Sequence, residues 1–141
     1  AMQQGELSEI TAIAARDADR ARAAADALGI PKSYGSYEEL LADPDIDAVS
    51  IVTMWDQHTE PALAALAAGK HVFLEKPMAT DAPGLRSVMA DVEVAKKKGL
   101  AVVAGFCWRY HYARREFYKR IANGAIGDVQ AVYATYYTGP G

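Results

Sequence analysis

The chain has 141 residues and a mass of 15.2 kDa, with 51% hydrophobic and 23% charged residues. This composition is typical of a packed globular domain and excludes a disordered chain. Fifteen basic and 18 acidic residues give a formal net charge of −3. A protein with this charge has no broad positive potential to attract nucleic acid, so a nucleic-acid-binding protein is not expected. No apolar run approaches the roughly 18 residues of a membrane span. The single cysteine, Cys107, has no disulfide partner, so we predict a cytoplasmic protein without nucleic-acid or membrane partners.

Short apolar runs and amphipathic segments alternate along most of the chain. Strands are predicted over residues 9–15, 48–52, 71–74 and 101–104. Helices are predicted over residues 18–28, 37–41, 61–68, 82–98 and 113–122. Ser36 and Glu39 form a capping box at the start of the second helix, and Asp81 is placed to cap the fourth. Strands that alternate with helices predict an α/β fold with a parallel, doubly wound sheet.

Residues 128–137 break this alternation. Over residues 128–137 (DVQAVYATYY), Val, Ala, Tyr, Thr and Tyr at the odd positions alternate with Gln, Val, Ala and Tyr at the even positions, which favours an antiparallel strand with two unlike faces. We therefore predict that the doubly wound domain occupies residues 1–124. Residues 125–141 would then begin a second domain with the first strand of its sheet.

Four segments in order resemble one enzyme family. The most specific is ALAAGKHVFLEKPMA (residues 65–79), in which Glu-Lys-Pro follows a buried strand. The others are YEELLADPDIDAVSIV (37–52), GFCWRY (105–110) and IANGAIGDV (121–129). Together they resemble the Gfo/Idh/MocA family, which includes glucose–fructose oxidoreductase and inositol dehydrogenase. The resemblance covers residues 9–137.

The resemblance implies an N-terminal Rossmann domain, followed by an α/β domain with a large open sheet. It also implies hydride transfer between NAD(P) and a sugar, polyol or related alcohol. Residues 9–15 correspond to the second strand of the dinucleotide fold, and none of the 11 glycines reproduces a G-x-G-x-x-G turn. We therefore expect the first strand and its turn upstream of this segment, and the family's catalytic histidine beyond Gly141. This chain alone would then be a poor catalyst.

The absent first strand has a consequence for assembly. In the order 3-2-1-4-5-6, that strand lies between the second and the fourth. Residues 9–15 and 48–52 would each keep an unpaired edge in the middle of the sheet, and such edges recruit other chains. The sequence therefore predicts a homo-oligomer formed through this edge.

Lys76 is the leading catalytic candidate. It follows a parallel strand, at the edge where such sheets bind ligands, and the matching family lysine contacts the reacting hydroxyl. The resemblance places Glu75 and Pro77 at the cofactor, and Pro77 is a candidate for a cis peptide bond. Arg109 matches a family arginine that would contact substrate and cofactor. Trp108 would form a wall of the substrate site, although packing between domains would also explain it.

Ala15 and Arg16 bear on the choice of cofactor. An acidic residue at the end of the second strand usually binds the ribose hydroxyls of NAD. A small residue followed by arginine suits the 2′-phosphate, so NADP is predicted, with NAD as the alternative. Asp17 is interpreted as the N-cap of the next helix, although in a shifted register it would be that acid.

The segment TMWDQH (residues 53–58) corresponds to the family's loop after the fourth strand. Thr53 and His58 match the family pattern and are predicted to bind the cofactor. Met54 and Trp55 depart from it, and Trp55 could stack near the cofactor. A helix-start histidine and an aromatic plug would explain the same residues without a ligand. The three histidines show no spacing typical of a metal site.

Three functions remain open from the sequence. The first is a fragment of a nicotinamide-dependent oxidoreductase with a small sugar-like substrate. The second is a non-catalytic Rossmann-like module used for binding or assembly. The third is a lyase or hydrolase that uses the nicotinamide transiently, as related nucleotide-binding enzymes do. Retention of the Glu-Lys-Pro segment and of Arg109 favours the first.

Overall fold

A computed structural model describes residues 8–137 as alternating strands and helices. The strands are β1 (Ala12–Ala14), β2 (Lys32–Tyr34), β3 (Ala48–Ile51), β4 (His71–Leu74) and β5 (Val102–Ala104). The helices are α1 (Ala18–Leu28), α2 (Tyr37–Ala42), α3 (Thr59–Ala67), α4 (Ala82–Lys97) and α5 (Tyr112–Ala122). None of these described helices is both long and apolar enough to cross a membrane. The chain divides into two compact units, the first ending at Gly105 and the second starting at Phe106.

The five strands of the first unit form two parallel sheets. In one sheet β1 pairs with β2, and Ile13 lies opposite Ser33. In the other, β4 lies between β3 and β5, so that Phe73 faces Ser50 on one side and Val103 on the other. Parallel strands joined by helices confirm the predicted α/β class.

The order of the strands leaves one position empty between the two sheets. If β1 and β2 are the second and third strands of a Rossmann sheet, then β3, β4 and β5 are the fourth to sixth. Among residues 8–137, β1 has β2 as its only partner, and β3 has β4 as its only partner. One edge of each strand is therefore unpaired, as expected from the sequence.

Local hydrogen bonds fix where the helices begin. The side chain of Asp17 accepts from the amides of Asp19 and Arg20, so the prediction that Asp17 caps α1 is confirmed. Ser36 accepts from the Glu39 amide at 3.2 Å. Glu39 reaches back to the Gly35 amide at 3.0 Å, one residue before the position that a standard capping box uses.

The core of the first unit lies between the three-stranded sheet and the helices α3 and α4. Small side chains of α3 allow this helix to approach β4 closely, since Ala62 and Ala65 are fully buried. Leu74 of β4 has no exposed surface. Because β4 is packed in this core, its carboxyl end is fixed, and so is the start of the turn that follows at Glu75.

Two sequence-based expectations differ from the structure. The prediction of a strand over residues 128–137 was wrong, because this segment pairs with no other strand among the described residues. Alternating side chains favour extended backbone, but a strand also needs a ladder partner. Conversely, β2 was not predicted. The sequence of β2 (Lys-Ser-Tyr) is short and polar, so it shows no strand pattern. The segment is a strand because it pairs with β1.

A polar network at the amino ends of the strands joins the two sheets. The carboxylate of Asp43, 8% exposed, accepts from Lys32 Nζ at 2.7 Å and from the Tyr34 hydroxyl at 2.6 Å. Asp45 takes a second bond from Lys32 at 2.9 Å. The buried Lys70, next to β4, donates to the Asp43 carbonyl at 2.9 Å. These hydrogen bonds hold the pKa of Asp43 well below its usual range, with the Lys32 ammonium as the main cause.

This network predicts that the first unit loses stability in acid. A carboxyl whose pKa is lowered by folding stabilises the fold fully above its unfolded pKa, about 3.9, and loses that contribution progressively as the pH falls from there through its folded pKa. We expect Asp43→Asn to lower the free energy of unfolding at pH 7 and to lower it less at pH 2, closer to the lowered pKa of this carboxyl. Urea denaturation at both pH values measures this difference. Asp45→Asn is the matched control, because Asp45 is 77% exposed, and equal losses for Asp43→Asn at both pH values would contradict the assignment.

Candidate functional site at the carboxyl edge of the sheet

The carboxyl ends of β3 and β4 border a cavity of about 370 Å³. Parallel sheets of this kind bind ligands at this edge, where the loops that follow the strands diverge. The lining comes from the loop after β3 and the turn after β4: Val52, Thr53, Met54, Trp55, His58, Glu75, Lys76 and Pro77. Six of the ten residues predicted from the sequence to form the site therefore line one cavity.

Lys76 is exposed at the mouth of this cavity. Its backbone amide donates to the Glu75 carboxylate at 2.8 Å. The peptide bond between Lys76 and Pro77 is cis, as the sequence suggested. The Glu75 side chain thus bonds to the backbone of the turn that carries Lys76.

Gly105 determines where the Glu75 side chain can lie. Its amide donates to the Leu74 carbonyl at 2.8 Å, which continues the ladder between β4 and β5. A Cβ atom on Gly105 would lie 2.8 Å from Glu75 Cδ and 2.9 Å from Glu75 Cα. Any larger residue would displace Glu75, so this glycine is required by a close approach. Sequence reasoning missed this role, and the signal was a glycine at the end of a predicted strand.

His58 lies beneath the loop after β3 and is 2% exposed. Its Nδ1 is 2.6 Å from the carbonyl oxygen of Pro77, and its Nε2 is 2.9 Å from the carbonyl oxygen of Thr53. Both ring nitrogens are therefore used by the backbone of the two segments that line the cavity.

Arg16, the residue after Ala15 at the end of β1, reaches the same edge of the sheet. Its guanidinium donates to the side-chain oxygen of Gln57, in the loop after β3. Thr53 donates through its hydroxyl to the Gln57 carbonyl at 3.2 Å. Gln57 thus connects the end of β1 to the cavity loop. Sequence analysis did not single it out, because this contact joins positions 41 residues apart.

Met54 and Trp55 form the outer part of the loop. They are 60% and 59% exposed, so their apolar surfaces are accessible beside the cavity. An exposed aromatic ring at such an edge is a suitable stacking surface for a flat ligand.

Trp108 and Arg109 belong to the second unit, in a short turn of 3-10 helix over Cys107–Tyr110. The Arg109 guanidinium lies 5.3 Å from the centre of the Phe106 ring, and that of Arg114 lies 4.1 Å from the Trp108 ring. These cation–π contacts stabilise the turn. Within residues 8–137, no group of three or more metal-ligating side chains is arranged to hold a metal ion.

The parallel strands, their connecting helices and the cavity at the carboxyl edge define an α/β protein of the Rossmann type. A family model described as an oxidoreductase family with an NAD-binding Rossmann fold matches residues 1–106. The chain belongs to this family, GFO_IDH_MocA.

Curated relatives support the same assignment. The chain is 41% identical over 135 residues to an uncharacterized oxidoreductase of Rhizobium meliloti, covering 96% of this chain and 40% of the relative. It is 38% identical over 128 residues to trans-1,2-dihydrobenzene-1,2-diol dehydrogenase of Bos taurus, covering 91% and 37%. The chain therefore spans about two-fifths of the length of these relatives.

Solved structures show the same fold. Scyllo-inositol dehydrogenase from Lactobacillus casei, with bound NAD(H) and scyllo-inositol, has a TM-score of 0.81 and 26% identity, covering 90% of this chain and 37% of that one. A 3-ketoreductase from Actinomadura kijaniata, in complex with TDP-benzene and NADP, has a TM-score of 0.75 and 34% identity, covering 90% and 39%. Both nicotinamide nucleotides thus occur among proteins that this chain resembles.

Proposed function

We propose that this chain supplies the NAD(P)-binding part of an oxidoreductase that transfers a hydride between the nicotinamide and a sugar, polyol or related alcohol. The main support is the position of Lys76, exposed after β4 at a cavity on the carboxyl edge of a parallel sheet. The family assignment and the dehydrogenases among its relatives support the reaction class. The substrate we propose is a small molecule with hydroxyl groups.

The residues around the cavity suit a nicotinamide nucleotide. A bound nicotinamide ring would supply the hydride acceptor or donor. Thr53 and Trp55 offer a hydroxyl group and an aromatic face beside the space it would occupy, and His58 and Pro77 would support that wall from beneath. The sequence holds no G-x-G-x-x-G turn, so we propose that the pyrophosphate is held by a strand and turn outside residues 8–137.

Lys76 would act on the substrate oxygen. Its ammonium group would donate a hydrogen bond to the reacting hydroxyl and stabilise the negative charge that develops there as the proton leaves. Glu75 would position this lysine through its bond to the Lys76 amide. Arg109 and Trp108 would contribute to substrate binding, and a histidine of a second domain would take the proton.

Replacement of Lys76 tests this proposal. In the full-length protein encoded around this segment, we expect Lys76→Met to lower kcat about 10²–10³-fold, the usual effect of removing one preorganised donor. Steady-state oxidation of a panel of polyols measures it. Lys98→Met, at the exposed end of α4, is the control and should leave turnover unchanged. Full turnover in Lys76→Met would contradict the role of the lysine, and no turnover of any polyol by the unaltered protein would contradict the proposed reaction.

We further propose NADP as the preferred cofactor. Ala15 leaves room at the end of β1, and Arg16 offers a cation on the same edge of the sheet as the cavity. Asp17 is occupied as the cap of α1, so it is not free to bind ribose hydroxyls. These observations favour a 2′-phosphate over a free 2′-hydroxyl.

The cofactor proposal predicts a change of preference in Arg16→Asp. We expect the ratio of kcat/KM for NADP to that for NAD to fall by about tenfold or more, since a hydrogen bond to a charged group contributes about 1.5–3 kcal/mol. Arg20→Asp, on the exposed surface of α1, provides the control. An unchanged ratio in Arg16→Asp would rule out this assignment.

The unpaired edges of β1 and β3 favour a second, structural role. We propose that two copies of this chain associate through these edges, because unpaired ladder groups of one chain are satisfied by those of another. The carbonyls of Asp47 and Ile51 accept from β4. Ala48 and Ser50 alternate with these residues, so their amides face the free edge.

Ser50→Pro tests this association without removing a bond to β4. Proline lacks the amide hydrogen that a new strand would need, and it is tolerated on the free side of an edge strand. We expect this chain to sediment as a concentration-dependent oligomer, and Ser50→Pro to shift the distribution toward monomer while Ser50→Ala does not. A wild-type chain that sediments as a monomer at all concentrations would contradict the proposal.

A further inference from the structure

His58 has an unusual pair of partners. Its two ring nitrogens face the carbonyl oxygens of Thr53 and Pro77, at 2.9 and 2.6 Å. A carbonyl oxygen accepts hydrogen bonds and cannot donate one. The side chain is 2% exposed, so water does not replace either bond.

The number of ring protons follows from this geometry. A neutral imidazole has one N–H donor and one bare nitrogen, so one of the two carbonyls would face a lone pair inside the protein. An imidazole protonated on both nitrogens donates to both carbonyls. Both carbonyls can only accept, so the doubly protonated ring is the form that satisfies both of them.

We propose that His58 carries a proton on both ring nitrogens and acts as a positioning residue that ties the loop after β3 to the turn that carries Lys76. The ring has no nitrogen left for a ligand, so it acts through Thr53 and Pro77 and not by direct contact with a cofactor. The importance of this link for cofactor binding rests on the proposed function. The number of ring protons and the link itself rest only on the hydrogen-bond geometry of His58.

The charged residues of the segments around His58 are Asp56, Glu60 and Glu75 on the acidic side, and Lys76 and Arg16 on the basic side. His71 provides an internal contrast, because its Nδ1 accepts from the Ala101 amide at 2.8 Å and therefore carries no proton. The same chain thus holds one histidine whose Nδ1 must donate and another whose Nδ1 must accept.

The first experiment counts ring protons by nitrogen-15 NMR of the whole chain at about pH 7.5, where a solvent-exposed imidazole is mostly neutral. We expect two slowly exchanging ring N–H signals that disappear in His58→Gln. His71→Gln should leave both in place. A single His58 signal, or none, would overturn the proposal. This measurement is made on the unaltered chain, so it does not depend on whether a variant folds.

The second experiment tests the link between the two segments. The amides of Gln57 and Lys76 are each hydrogen-bonded at 2.8 Å, to the Met54 carbonyl and to the Glu75 carboxylate. In His58→Ala we expect both to lose protection from hydrogen exchange, while the Val72 amide inside the sheet keeps its protection. Loss at all three amides would indicate general destabilisation and would count against a positioning role.

Added imidazole sharpens this test. Imidazole can enter the space left in His58→Ala and donate from both nitrogens when protonated, whereas 1-methylimidazole has one donor at most. We expect imidazole to restore protection at Gln57 and Lys76, and 1-methylimidazole to fail. Equal restoration by both compounds would contradict the need for two donors.

Titration of the full-length protein encoded around this segment with NADP⁺ separates this inference from the proposed function. If that protein shows both ring signals but binds no NADP⁺, the cofactor proposal is contradicted and the role of His58 in the link stands. If it binds NADP⁺ with one ring signal, the inference about His58 fails alone.

Discussion

Polar contacts hold the two parallel sheets of the first unit together at both ends of their strands. At the amino ends of the strands, the buried Asp43 carboxylate bonds to β2 through Lys32, and its carbonyl accepts from Lys70 beside β4. At the carboxyl ends, Arg16 bonds to Gln57 in the loop after β3. The cavity lies next to the second of these connections. These contacts join two sheets that share no ladder hydrogen bond in the described chain.

Much of this architecture could be predicted from local sequence. The side chains of Asp17, Ser36 and Asp81 accept hydrogen bonds from amides two or three residues away. A short segment of sequence is therefore enough to predict where these helices begin. Apolar runs such as 71–74 are buried because both faces of the central strand are covered. The Glu-Lys-Pro segment could be placed at the cavity because it directly follows such a strand.

The rest depended on contacts between distant positions. The strand β2 is polar and exists through its pairing with β1, whereas residues 128–137 pair with no strand among the residues that the structure describes. Gly105 matters because Glu75 lies against it, 30 positions earlier in the chain. The bonds of His58 to two carbonyls follow from backbone geometry that no side-chain pattern encodes.

Because Gly105 approaches Glu75 closely, the site contains two kinds of residue. Some are held by contacts with the backbone, and others belong to an exposed loop. The turn that carries Lys76 is held by backbone atoms of β5, a strand that contributes no side chain to the cavity lining. Met54 and Trp55 are more than half exposed, so their replacement would cost little core packing. Met54 and Trp55 can therefore be replaced without removing the backbone contacts between Gly105 and the segment before Lys76, and such changes alter the cavity wall while this part of the turn stays in place.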